Sequence, residues 1–151
     1  MLRDCLTESM KDAMRAKETR KLSTLRLILA AIKDRDIAAR TEDKSEADDD
    51  AVIQEILVKM VKQRRDSIVA YDEGGRAELA EQEREEIGII EKFLPEQMSD
   101  DEIVAACKET VSEVEASGLK DIGRCMGALK AKYAGQMDFS KASAKVKEIL
   151  S

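Results

Sequence analysis

The stretch FLPEQMSDDEI, residues 93–103, decides how the rest of the chain is read. Pro95 is the only proline in the sequence. It has no backbone N–H, and its ring disfavours the helical region for the residue before it, so a helix arriving from the N-terminal side ends by Leu94. Just beyond it, Ser99-Asp100-Asp101-Glu102 has the form of a capping box. The Ser99 hydroxyl is placed to accept from the Glu102 N–H while the Glu102 carboxylate reaches back to the Ser99 N–H. Ile103, Cys107, Val111 and Val114 then recur at helical spacing. A helix stop followed at once by a capped start predicts a boundary, with one domain over residues 1–94 and another over 95–151.

Upstream of the boundary the apolar periodicity is that of helices. Leu2, Leu6, Met10 and Ala13 form one face of a first helix over about residues 3–17. Leu22, Leu25, Leu29 and Ile32 form a stripe in KLSTLRLILAAIKDRDIAAR (21–40), which is apolar around most of its circumference and is expected to be the central helix of this half. TEDKSEADDD (41–50) has no large apolar side chain and reads as an acidic surface loop; it lacks the glycine and alternating ligands of a Ca²⁺ loop. A third helix follows, with Ile53, Ile56, Leu57, Met60, Val61, Ile68 and Tyr71 on one side, and a fourth carries Leu79, Ala80, Ile87, Ile90 and Leu94. The turn between them centres on Gly74 and Gly75. Arg64 interrupts the stripe of the third helix about ten residues before that turn, and Glu83 lies about nine after it on the fourth, so an antiparallel hairpin sets the two level. We expect an ion pair between Arg64 and Glu83 that fixes helix register.

Downstream, Ser117 and Gly118 stop the helix that begins at Ser99, Asp121 is expected to cap a second running to about Ala134, and Gly135 to stop it. Asp138 is expected to cap a third, with Phe139, Ala142, Val146, Ile149 and Leu150 facing inward. The fold class is therefore all-α, an N-terminal domain of about four helices followed by a C-terminal three-helix domain. On the middle C-terminal helix Ile122, Met126, Leu129 and Tyr133 make the core face, while Gly123, Gly127 and Ala131 fall on a different strip. Two interior helical glycines cost roughly 2 kcal/mol against alanine, so something is expected to approach that backbone closely. Either another helix packs there or a nucleic-acid backbone lies on it, with Lys130 and Arg124 on the flanks and Lys120, Lys132 and Lys145 widening the basic surface.

Charge supports an anionic partner for this segment. Residues 118–151 carry seven Lys/Arg against three Asp/Glu, in a chain of net charge −6. No base-reading aromatic motif accompanies them, so contacts here would fix position rather than read sequence. The chain has no histidine, which removes Ser-His and Cys-His pairs, and Cys5, Cys107 and Cys125 are too widely spaced for a zinc site and are read as buried free thiols. No catalytic residue, metal or cofactor is assigned. No apolar run approaches the ~18 residues of a membrane span, and MLRDCLTESMKD lacks the apolar core of a secretory signal; the expected location is cytoplasmic.

Three segments carry a resemblance to a known family: STLRLILAAIKDRDI (23–37), KMVKQRRDSIVAYDEGGRAELAEQEREEIGIIEKFLPEQMSDDEI (59–103) and ASGLKDIGRCMGALKAKYAGQMDFSKASAKVKEIL (116–150). The KQRR segment, the GGR turn, the FLP junction and the MGxLK…G…D…VK series stand in the order and separation of the GatB/YqeY family, and the chain is similar to its stand-alone YqeY-like members. The resemblance implies a helical module like the tail of the B subunit of the tRNA-dependent amidotransferase, a tail that contacts tRNA. It implies no independent carbon–nitrogen ligase chemistry, because the kinase-like and amidase parts of that enzyme lie in other regions. Many relatives carry Arg or Lys where this chain has Gln136, which removes one expected positive charge. The partner implied is tRNA, and the alternative is a protein-interaction adaptor.

Overall fold

In a computed structural model of the chain, the backbone is described for residues 2–42 and 49–151. Every regular element among them is helical, which bears out the all-α class: α1 (Leu2–Arg15), α2 (Thr19–Glu42), α3 (Asp49–Glu73), α4 (Ala77–Glu91), α5 (Asp100–Glu113), α6 (Ile122–Lys132) and α7 (Phe139–Leu150), with one 3₁₀ turn at Leu119–Asp121. None of these helices is long and apolar enough to cross a membrane. The fold divides into two compact units, Met1–Pro95 and Glu96–Ser151. Most of the acidic stretch at 41–50 lies outside the described residues.

In the first unit α1 to α4 close around Leu6, Ala13, Leu25, Ile28, Ile32, Ile53, Leu57, Met60, Val61 and Ile90. Burying a Leu or Ile side chain contributes about 1.5–3 kcal/mol each, so this layer, rather than helix propensity, holds the long helices. Within α2 the buried side chains are Thr24, Leu25, Ile28 and Ile32. Leu27 remains 50 % exposed, so the helix expected to be apolar nearly all round leaves one side in solvent. The α3–α4 turn is a Schellman cap. Gly75 adopts φ +71°, the Arg76 N–H donates to Tyr71 O at 2.7 Å and the Gly75 N–H to Asp72 O at 3.3 Å. The same cap closes α1 and α5 on residues with a Cβ, Lys17 at φ 59° and Glu115 at φ 53°.

Arg64 is 12 % exposed and joins α3 to α4, but its shorter contact is not the expected one. Its Nε donates to Glu86 Oε2 at 2.9 Å, while Glu83 Oε2 is at 4.0 Å and Nη1 donates to Met60 O at 3.2 Å. Glu83 and Glu86 are three residues apart, just under one helical turn, so one guanidinium meets both, and level arithmetic alone does not separate them. Burial, and secondarily Glu86, push the Glu83 carboxyl up from its ordinary value. A second cluster went unread in the sequence. Arg3 donates twice to Asp36 (2.9 and 3.1 Å) and twice to Asp49 (2.7 and 3.1 Å), and the Leu2 N–H donates to Asp50 at 3.0 Å. This joins the start of α1 to α2 and to the start of α3, where the acids also complement the helix dipole.

Candidate nucleic-acid interface

The second unit is built on the capping box that the sequence announces. Ser99 Oγ accepts from the Glu102 N–H at 3.2 Å, and Glu102 Oε1 accepts from the Ser99 N–H at 3.1 Å. Helices α5, α6 and α7 enclose Ile103, Ala106, Cys107, Cys125, Leu129, Met137, Ala142 and Val146. The buried face of α5 turns toward Ala106 and Thr110, leaving Val111 and Val114 only partly covered. Ahead of the helix, Gln97 Nε2 donates to Gly135 O at 2.7 Å and the Met98 N–H to Gln136 O at 2.9 Å, so the connection after Pro95 is pinned to the α6–α7 loop. Gly135 is buried there at φ +75°, a conformation that L side chains rarely adopt.

Asp121 does not cap α6 with its side chain as expected. Its carboxylate turns backward, accepting from the Ser117 N–H at 2.9 Å and from Arg124 Nη2 at 3.0 Å. The 3₁₀ turn before the helix places Asp121 over the preceding loop. The Ser117 N–H, helped by Arg124, holds this carboxyl below its ordinary range. Asp138 does cap α7, accepting from the Ser140 N–H at 2.9 Å.

The glycine strip is open. A Cβ built on Gly123 or on Gly127 meets no atom within 4 Å, so no helix of this unit packs on it. Gly123, Gly127, Ala131, Lys120, Arg124 and Lys130 are all exposed. At 100° per residue Lys130 falls on one edge of the strip and Arg124 on the other, and Lys120 projects from the turn just before the helix. Lys130 Nζ stands 6.0 Å from the centre of the Phe139 ring at the start of α7, so it lies on the α7 side. Lys132 is turned the other way, toward α5, 3.8 Å from Glu109 and 3.9 Å from Glu113, and these acids, Glu113 first, push its ammonium up from the ordinary value. Lys145 pairs along α7 with Glu148 at 3.5 Å. Gly123, Gly127 and Ala131 with Arg124 and Lys130 therefore lie together on the exposed side of α6, Arg124 being also paired with Asp121, and Lys132 and Lys145 serve ion pairs away from the strip.

The two cysteines of this unit are held away from nucleophilic chemistry. Cys107 and Cys125 are fully buried, and burial pushes both thiols up, away from the reactive thiolate. Cys107 donates weakly to Ala142 O at 3.7 Å. Cys5 corrects the expectation of three buried thiols, since it lies exposed on the outer side of α1.

The model of the family described as "Yqey-like protein" matches residues 3–150. The chain belongs to that family. Curated Yqey-like relatives include "Altered inheritance of mitochondria protein 41, mitochondrial" of Kluyveromyces lactis, 33% identical over 88 residues, which are 58% of this chain and 45% of the relative. The protein of the same name from Lachancea thermotolerans is 32% identical over 114 residues, 74% of this chain and 59% of the relative, and that of Clavispora lusitaniae is 33% identical over 114 residues, 74% and 64%. The chain thus spans about half the length of the curated relatives it matches first. These names overturn the cytoplasmic expectation, because the relatives are called mitochondrial. That expectation rested on the lack of an apolar signal, and mitochondrial targeting segments are amphipathic and Arg-rich, so they do not register by apolar content.

Proposed function

We propose that this Yqey-like protein is a tRNA-binding accessory module, akin to the tail of the amidotransferase B subunit, and that residues 96–151 act as a separate domain carrying the contact. The observation that carries the reading is the open strip of α6. Gly123 and Gly127 cost helix stability, nothing in their unit fills the space above them, and Lys120, Arg124 and Lys130 border it. A sugar–phosphate backbone needs a smooth floor with cations at its edges, and such contacts position an RNA without reading its bases. No catalytic step is assigned.

Binding of bulk tRNA to the full chain at two salt concentrations tests this. Affinity is expected to fall as salt rises, and Arg124→Ala with Lys130→Ala to reduce the logarithmic salt slope by about 2, one for each phosphate left without its cation. Absence of binding at low salt, or binding unchanged in the double variant, refutes it.

One observation favours a second reading, a protein-interaction adaptor. Arg124, Lys132 and Lys145 each already meet an acid of their own unit, which lowers the positive field available to RNA. A stable protein partner recovered without RNA supports this reading.

A further inference from the structure

Asp121, which turns away from the helix start it was expected to cap, bears directly on one cation of the α6 strip. Its side chain is 13 % exposed, and that of Arg124 is 58 % exposed. One carboxylate oxygen, Oδ2, accepts from the Ser117 N–H at 2.9 Å and stands 3.5 Å from the Ser117 hydroxyl. The other, Oδ1, accepts from Arg124 Nη2 at 3.0 Å. The acid is therefore the anchored member of the pair, and the guanidinium is the one free to leave. The Ser117 N–H first, with Arg124 and Lys120 adding to it, holds the Asp121 carboxyl below its ordinary range, so it is charged at neutral pH.

The contact draws Arg124 away from the glycines. Asp121 lies three residues before Arg124 in the chain, and Gly127 lies three residues after it. These are opposite directions along the helix axis, each just under one turn. A guanidinium on Asp121 thus stands at the N-terminal end of the strip, near the preceding loop, and not beside the floor at Gly127. The hold is also single-ended. Arg3 donates twice to Asp36 and twice to Asp49, whereas Arg124 gives Asp121 one N–H. A phosphate presents two oxygens to the guanidinium fork and meets it bidentately, which is the stronger arrangement.

We infer that Asp121 holds Arg124 off the α6 strip in the free protein and that an RNA phosphate takes its place, which makes Asp121 a positioning residue that sets how tightly the strip binds. This rests on the tRNA reading above and names the internal competitor of the same site. On binding, the guanidinium turns from Asp121 toward the floor and its phosphate, while Asp121 stays on the Ser117 N–H and keeps the loop in place. An exposed ion pair is weak, so the exchange lowers affinity without abolishing it. The pair is screened by salt, so the competition is felt most at low ionic strength.

Titration of bulk tRNA with the full chain, Asp121→Asn, Arg124→Ala and the double variant at low salt closes a double-mutant cycle that tests this. Asparagine keeps a carbonyl oxygen for the Ser117 N–H and withdraws the charge from Arg124. Asp121→Asn is expected to bind about threefold more tightly, the worth of one exposed ion pair, with the gain fading as salt rises. Arg124→Ala is expected to cost about threefold more affinity in the Asp121→Asn background than in the unmodified chain, because no pair is lost along with the phosphate contact. An acid that merely repels RNA gives additive effects instead. Asp121→Glu, which keeps a carboxylate within reach of Arg124, is expected to bind within about twofold of the unmodified chain. Asp121→Ser closes the same cycle with a second uncharged acceptor, and circular dichroism verifies the fold of each variant. Additive effects, or no gain in Asp121→Asn and Asp121→Ser, overturn the inference while the tRNA reading stands. Absence of tRNA binding at low salt by the unmodified chain and by both uncharged variants overturns the two together.

Discussion

Replacing Gly123 and Gly127 by alanine separates what these residues do for the fold from what they do for a ligand. Neither has a positive φ, and neither added Cβ meets an atom within 4 Å, so the substitution is free of steric cost. The gain is the helix-propensity difference. Gly127 is in the interior of α6 and is expected to return the full amount, about 1 kcal/mol. Gly123 is the second residue of the helix, where the backbone N–H has no intrahelical acceptor, and about half that is expected. The double variant should therefore be about 1.5 kcal/mol more stable, read by urea unfolding followed by circular dichroism with an unchanged slope. In the same protein, tRNA affinity should fall by about tenfold or more, because two methyl groups occupy the floor and hold off a phosphate contact that supplies binding energy of that order. Higher stability with undiminished affinity refutes the floor. Unchanged or lower stability refutes the open strip itself, and means that another surface already rests on these glycines in solution.

Further outcomes follow from the caps and charges. Lys17→Gly and Glu115→Gly relieve a left-handed residue in a Schellman cap and should each raise stability by about 1 kcal/mol in thermal unfolding; a loss at either site contradicts the strain argument. The folded state holds the proton of Glu83 more tightly than the unfolded state does, so this group's contribution is present below the ordinary glutamate value and is lost as pH rises through the raised value. Glu83→Gln should raise neutral-pH stability and flatten the pH dependence just above that value, whereas a steeper dependence excludes burial as the cause. Asp49 has the opposite sign. Arg3 lowers its pKa, so its contribution is present above the ordinary aspartate value and fades as pH falls. Arg3→Ala should reduce the acid-side loss by about 1 kcal/mol at most, since the pair is more than one third exposed and screened, and added salt should erase the difference.

Local signals were legible wherever their chemistry is complete within a few residues. The proline stop, the Ser99–Glu102 box, the Asp138 cap and the Gly75 turn each need only neighbours in the chain, and each stands where the sequence put it. Helical stripes were legible to within one residue of rotation, as at Ala106 and Thr110, because a small or β-branched side chain at the edge of a stripe is covered or not according to what packs against it. The candidate site was legible as a set of residue types. Its sorting was not, since Lys120, Arg124, Lys130, Lys132 and Lys145 look alike until α5 brings Glu109 and Glu113 to one of them.

By itself the sequence determined an all-helical chain, its main helix boundaries and a basic segment with two glycines in a helix, because propensity, capping and periodicity are properties of consecutive residues. Tertiary structure alone decided that Arg64 reaches Glu86 more closely than Glu83, that Arg3 gathers Asp36 and Asp49, and that the strip over Gly123 and Gly127 is open. Those facts depend on which helix lies beside which and at what rotation, set by burial of side chains far apart in the chain, and no local pattern encodes them.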